Sequence, residues 1–135
     1  MIHQKDLRLG DLVQITVDLP EYKQGDIFVV IDISEVYIGL RSPSESDCRQ
    51  DLYTIRDHIE GILLTPDILE KNGWEQEYYA PIIYDHIGHD IEISFLQSSE
   101  RCSVLLNDIS LREIQYVHEL QHILWALGED ANLKI

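Results

Sequence analysis

Five residues near the C-terminal end, His118-Glu119-Leu120-Gln121-His122, spell the HExxH pattern of zinc hydrolases. On a helix, residues four apart share a face. His118 and His122 would then offer two imidazole nitrogens to one tetrahedral zinc, and Glu119 would be the general base acting on metal-bound water. A third protein ligand is missing from its usual places. His122 is followed by Ile123-Leu124-Trp125, so the continuation with a glycine and a third histidine is absent. Glu129 is too near in sequence to serve comfortably, and His86 and His89 would serve only if the fold carried them there. The plainer reading is a core helix, with His118 at the border of the core and Glu119 and His122 in solvent. We therefore expect no catalytic residue, no metal ligand and no cofactor. Zinc on His118 and His122, with Glu119 as base, is the alternative.

Other chemistry-bearing residues are sparse. Tyr84-Asp85-His86-Ile87-Gly88-His89-Asp90 holds two histidines and two aspartates. Such a cluster could bind a metal at a loop tip, but its Gly and Asp content also fits a polar hairpin turn. Cys48 stands beside Arg49 with no adjacent nucleophile pattern. Phosphate-cradling glycine loops, G-x-S-x-G and CxxC are absent.

Charge is the dominant global property. Twenty-five acidic residues oppose ten basic ones, for a net charge of −15. Residues 57–100 contain ten acids and one base, Lys71, and so carry −9 of that total. Such a field repels phosphate backbones and attracts basic surfaces. Direct nucleic-acid binding is disfavoured, whereas a basic groove on a protein that itself handles nucleic acid is a suitable partner. The bland alternative is that the charge serves solubility alone. The carboxylates expected to meet a partner are Glu70, Glu75, Glu77, Asp85, Asp90 and Glu92.

The elements that must position these groups follow from patterning. The 135 residues fit one domain, 1–135, with a β-rich part over 1–58 and a mixed α/β part over 59–135. At 44% apolar residues the chain can bury a core without staples. Strands are expected over 7–17, 27–33, 36–40 and 53–55, from alternation and β-branched runs. They suggest a small antiparallel sheet or SH3-like barrel. Thr65-Pro66-Asp67 opens a short helix that Gly73 ends. Strands over 78–84, 91–96 and 101–106 form a meander, with residues 85–90 as one turn. Ser110 and Glu113 read as a capping box for a long amphipathic helix, Ser110–Gly128, whose stripe is Ile114, Val117, Leu120, Leu124 and Leu127. That helix is expected to pack on the sheet, and Asn132–Ile135 to add an edge strand. The fold class is thus α+β. With no export signal or membrane span, and with Cys48 and Cys102 read as reduced thiols, the expected location is the cytoplasm.

Three blocks of the chain resemble small proteins of unknown function from phages and mobile elements of Bacteroidetes-type bacteria. They are Leu7-Arg8-Leu9-Gly10-Asp11-Leu12-Val13, the stretch from Ile62 to Trp74, and the stretch from Tyr116 to Gly128. In that family the closing block usually reads His-x-Leu-Gln-Asn. His118, Leu120 and Gln121 match it, His122 departs from the Asn, and Glu119 falls at a variable position. The resemblance implies that HExxH is an accident of this member, and that the context is a phage or mobile element in a bacterial host. The expected function is a non-enzymatic accessory protein that binds a basic protein. One version is an anti-CRISPR, in which an acidic surface mimics nucleic acid and occupies a host effector. A zinc-dependent hydrolase and a structural or assembly protein of a phage or mobile element are the alternatives. No membrane association is expected, and a homo-oligomer stays open.

Overall fold

The computed structural model describes residues 2, 6–44, 46–77, 83–86, 90–96 and 99–135. The chain is α+β and divides into two compact units, Met1–Ile62 and Leu63–Ile135. Among the described residues, no helix is long and apolar enough to cross a membrane.

The first unit is a five-stranded antiparallel sheet. Its strands are β1 (Leu12–Ile15), β2 (Ile27–Ile33), β3 (Ile38–Arg41), β4 (Leu52–Thr54) and β5 (Ile59–Gly61), in the order β4-β3-β2-β1-β5. A 3-10 turn, Arg56–His58, precedes β5. β2 has the bounds expected, β3 and β4 lie within two residues of theirs, and β1 is much shorter than the expected 7–17 because a turn takes its start. Gly10, at φ +93°, directs the chain into β1, and its N–H donates to the Val30 carbonyl. The buried Asp11 carboxylate accepts from the Arg8 N–H and closes that turn. Val13, Ile15, Phe28, Val30, Ile38, Leu40 and Ile59 form the core of this unit.

The second unit holds β6 (Trp74–Gln76), β7 (Ile83–His86), β8 (Ile91–Phe95), β9 (Cys102–Leu106) and β10 (Ile109–Ile114), in antiparallel order β10-β9-β8-β7-β6. Helix α1 (Pro66–Lys71) precedes the sheet and helix α2 (Val117–Ala126) follows it. Thr65 accepts from the Ile68 N–H at the start of α1, and Pro66 occupies a position where no N–H is needed. Gly73, at φ +83°, ends it.

The long helix expected over Ser110–Gly128 is corrected. Ser110 and Glu113 lie in β10, Ile114 ends that strand, and the helix begins only at Val117. The cause is the dipeptide Asn107-Asp108, with φ +51° and +64°. Two consecutive left-handed residues make the tight hairpin that pairs Leu106 with Ile109 and continues the meander. Other boundaries move as well. Asp85 and His86 belong to β7 rather than to a turn. Residues 78–82 of the expected strand, and 87–89 of the expected turn, lie outside the described residues. Asn132–Ile135 forms no strand. The Asn72 side chain holds it instead, accepting from the Lys134 N–H and donating to the Lys134 carbonyl, each at 2.7 Å.

Candidate functional site

Helix α2 carries the HELQH residues, and its geometry gives Glu119, Leu120 and Gln121 structural tasks. Glu119 is the third helical residue. Its Oε1 accepts from the Gln115 and Tyr116 N–H groups at 3.0 and 3.1 Å, and its Oε2 meets Arg112 at 3.1 Å. It supplies the glutamate half of a capping box, at the true start of the helix. The expectation of a solvated Glu119 is therefore corrected. His118 is buried, with its ring stacked on Tyr116 and edge-to-face with His122, centroids 5.7 Å apart in both cases. Buried Leu120 and Leu124 form the apolar stripe. Buried Gln121 donates to the Ala131 carbonyl and draws the tail back along the helix. Gly128, at φ +76°, lets the Glu129 N–H reach the Leu124 carbonyl and seal the helix end.

Residues of all three sequence blocks make structural contacts. Gly10 and Asp11 build a turn, while Asn72 and Gln121 fix the C-terminal tail. Trp74 and His118 are buried.

The strands of the second unit assemble a different feature. Register places Glu75 opposite Asp85 and Asp85 opposite Glu92. Side chains alternate across a sheet, so these carboxylates share one face, while Tyr84, Ile91 and Ile93 are buried on the other. Glu77, Asp85 and Glu92 each bring a carboxylate oxygen within 4.8 Å of the others. Among the described residues this is the one such meeting of three His, Cys, Asp or Glu side chains. Asp85 Oδ1 is shielded and accepts no hydrogen bond among the described residues. Partial burial, then repulsion from Asp85, Asp108 and Glu77, raises the Glu92 carboxyl above the ordinary glutamate pKa. Like charges facing one another across strands cost stability. The grouping offers acceptor oxygens only, and so suits a guanidinium, an ammonium or a hard cation.

Of the six carboxylates expected to meet a partner, the structure brings Glu77, Asp85 and Glu92 together, with Glu75 beside them in register. Glu70 instead accepts from the Tyr84 hydroxyl at 3.4 Å. Asp90 is exposed at the start of β8, where its carbonyl accepts from the Asn107 N–H. The convergence of Glu77 with Asp85 and Glu92 was not foreseen from sequence. The signal for it was the alternation in Glu75-Gln76-Glu77 and Ile91-Glu92-Ile93. His86 packs edge-to-face on Trp74, centroids 4.8 Å apart, and His89 lies outside the described residues. Cys48 is exposed and Cys102 buried, and burial pushes the Cys102 thiol up to about 11, which suppresses its reactivity. Comparison with known proteins gives no match of the chain to a protein-family model, a curated protein or a solved structure.

Proposed function

We propose that the protein is a non-enzymatic accessory protein that binds a protein partner bearing a basic surface. The observation that carries this reading is the carboxylate face of β6–β8, where Glu77, Asp85 and Glu92 converge. A cationic partner would relieve the repulsion held there. Support also comes from the first unit. Its order β4-β3-β2-β1-β5, with a 3-10 turn before β5, favours reading it as an SH3-like barrel, a fold that often serves in protein recognition. The three-block resemblance supports a phage or mobile-element context. A host nucleic-acid-binding defence protein, such as a CRISPR effector, is the kind of partner whose basic groove would fit.

The test is capture of partners from a bacterial host lysate by the intact chain and by a Glu77→Gln, Asp85→Asn, Glu92→Gln variant. A partner retained by the intact chain, released steeply by salt and lost in the variant is the expected result. Equal retention of the same partner by the variant would refute the reading.

A further inference from the structure

The first unit carries an aromatic surface that no motif announces. Tyr37 and Tyr53 meet edge-to-face with centroids 5.4 Å apart, and they are 41% and 55% exposed. Exposed Val36 and Ile55 neighbour them in sequence. The pair is constructed rather than incidental. Ser34 Oγ accepts from the Val36 and Tyr37 N–H groups, which fixes the β2–β3 turn and sets Tyr37 at its end. Strand register then aligns Asp32, Gly39 and Tyr53 in one row across β2, β3 and β4. Gly39 leaves the middle of that row open. A Cβ there would lie 2.8 Å from the Asp32 Cβ and 2.9 Å from Tyr53 Cε1, so only glycine lets the ring lie across the strand toward Asp32. Asp32 makes no ion pair among the described residues, and exposed Glu35 adds a second negative charge at the turn. Arg41, the basic group on β3, is neutralised by its two-pronged pair with Asp51.

The same unit shows what such parts do. The Arg49 guanidinium lies 4.3 Å from the centroid of the Tyr22 ring while its nitrogens grip Asp47. Two components, an aromatic face and a carboxylate, hold this arginine together with the Glu21 carbonyl, which accepts from Nη1 at 2.6 Å. Tyr37, Tyr53 and Asp32 present the same two components outward. We infer that this surface docks an arginine side chain carried on an extended segment of a protein partner. The rings would receive the flat guanidinium and Asp32 its N–H groups. Arginine is favoured over lysine because a planar, weakly hydrated cation can stack and pair at once. The inference stands on the first unit alone, independently of the carboxylates of β6–β8.

The test uses the full chain and a fluorescein-labelled octapeptide of alternating proline and arginine, with lysine and glutamine counterparts. The arginine peptide should bind more tightly than the lysine one, and the glutamine one should not bind. Tyr53→Leu and Tyr37→Leu should each weaken the arginine peptide about two- to fivefold, as expected for a cation–π contact at a partly exposed site. Tyr53→Phe, which keeps the ring, should bind as the intact chain does. Should Tyr53→Leu fail to fold, Tyr37→Leu, in the exposed turn, carries the same comparison. The Glu77→Gln, Asp85→Asn, Glu92→Gln variant should retain most of the affinity. Unchanged affinity in the tyrosine-to-leucine variants, equal binding of the glutamine peptide, or no binding to the intact chain at millimolar concentration would each overturn the inference. A loss confined to the carboxylate variant would overturn it too, and would leave the β6–β8 reading in place.

Discussion

Helix α2 and the face of β6–β8 are opposites in how they use charged and polar side chains. In α2 a motif associated with catalysis is engaged by the fold itself. Glu119 holds two backbone N–H groups and Arg112, Gln121 holds the tail, and His118 is buried against Tyr116. On β6–β8 no motif is visible, yet three carboxylates converge, and burial and mutual repulsion raise Glu92. The side chains of the α2 motif thus contribute to the helix start, its core and the tail, whereas on β6–β8 like charges meet and Asp85 Oδ1 accepts no hydrogen bond among the described residues.

The largest effect is expected at the helix core. Leu120→Ala or Leu124→Ala should cost about 2–5 kcal/mol in denaturant unfolding. A loss below about 1 kcal/mol would show that the stripe is not core. Next, Glu119→Ala should cost about 1–2 kcal/mol by removing the capping bonds, and Glu119→Gln should cost less because one acceptor oxygen remains. If instead Glu119 served zinc chemistry, Glu119→Gln would keep its melting temperature and lose activity. Protein purified without added metal would then hold near-stoichiometric zinc, which His118→Ala with His122→Ala would remove. Asn72→Ala should cost about 1 kcal/mol and speed hydrogen exchange at the Lys134 amide, since that N–H donates to the Asn72 side chain. Unchanged exchange would remove the structural account of that block.

The smallest effect belongs to the acidic face. The Glu92 carboxyl lies above its ordinary value of 4.5, so the folded state holds that proton more tightly than the unfolded chain. The resulting stability is fully present below about 4.5 and is lost as pH rises through the raised value. Glu92→Gln should flatten this part of the stability–pH curve and stabilise the protein at neutral pH by about 0.5 kcal/mol. A destabilised variant at neutral pH would mean that Glu92 has a favourable partner, and the contrast with α2 would fail.

What could be read directly was local. Thr65 and Pro66 start α1, and Gly73 ends it, because caps and left-handed residues act within one turn of backbone. Gly128 terminates α2 for the same reason. The start of α2 could not be read so simply. Ser110-x-x-Glu113 satisfies a capping pattern, and Ile109-Ser110-Leu111-Arg112 equally satisfies strand alternation. The choice fell to Asn107 and Asp108, whose left-handed backbone turned the chain into a hairpin without any glycine to announce it.

The α+β class, the acidic charge, both ends of α1, the C-terminal end of α2 and most of the strand-forming runs were legible in the residues alone. These depend on composition and on hydrogen bonds within a few residues. Tertiary structure alone decided that Glu77 would meet Asp85 and Glu92, and that Tyr53 would cross Gly39 toward Asp32. Those outcomes rest on strand register, which is set by turns and bulges between segments distant in the chain. A one-residue slip would send every such side chain to the opposite face.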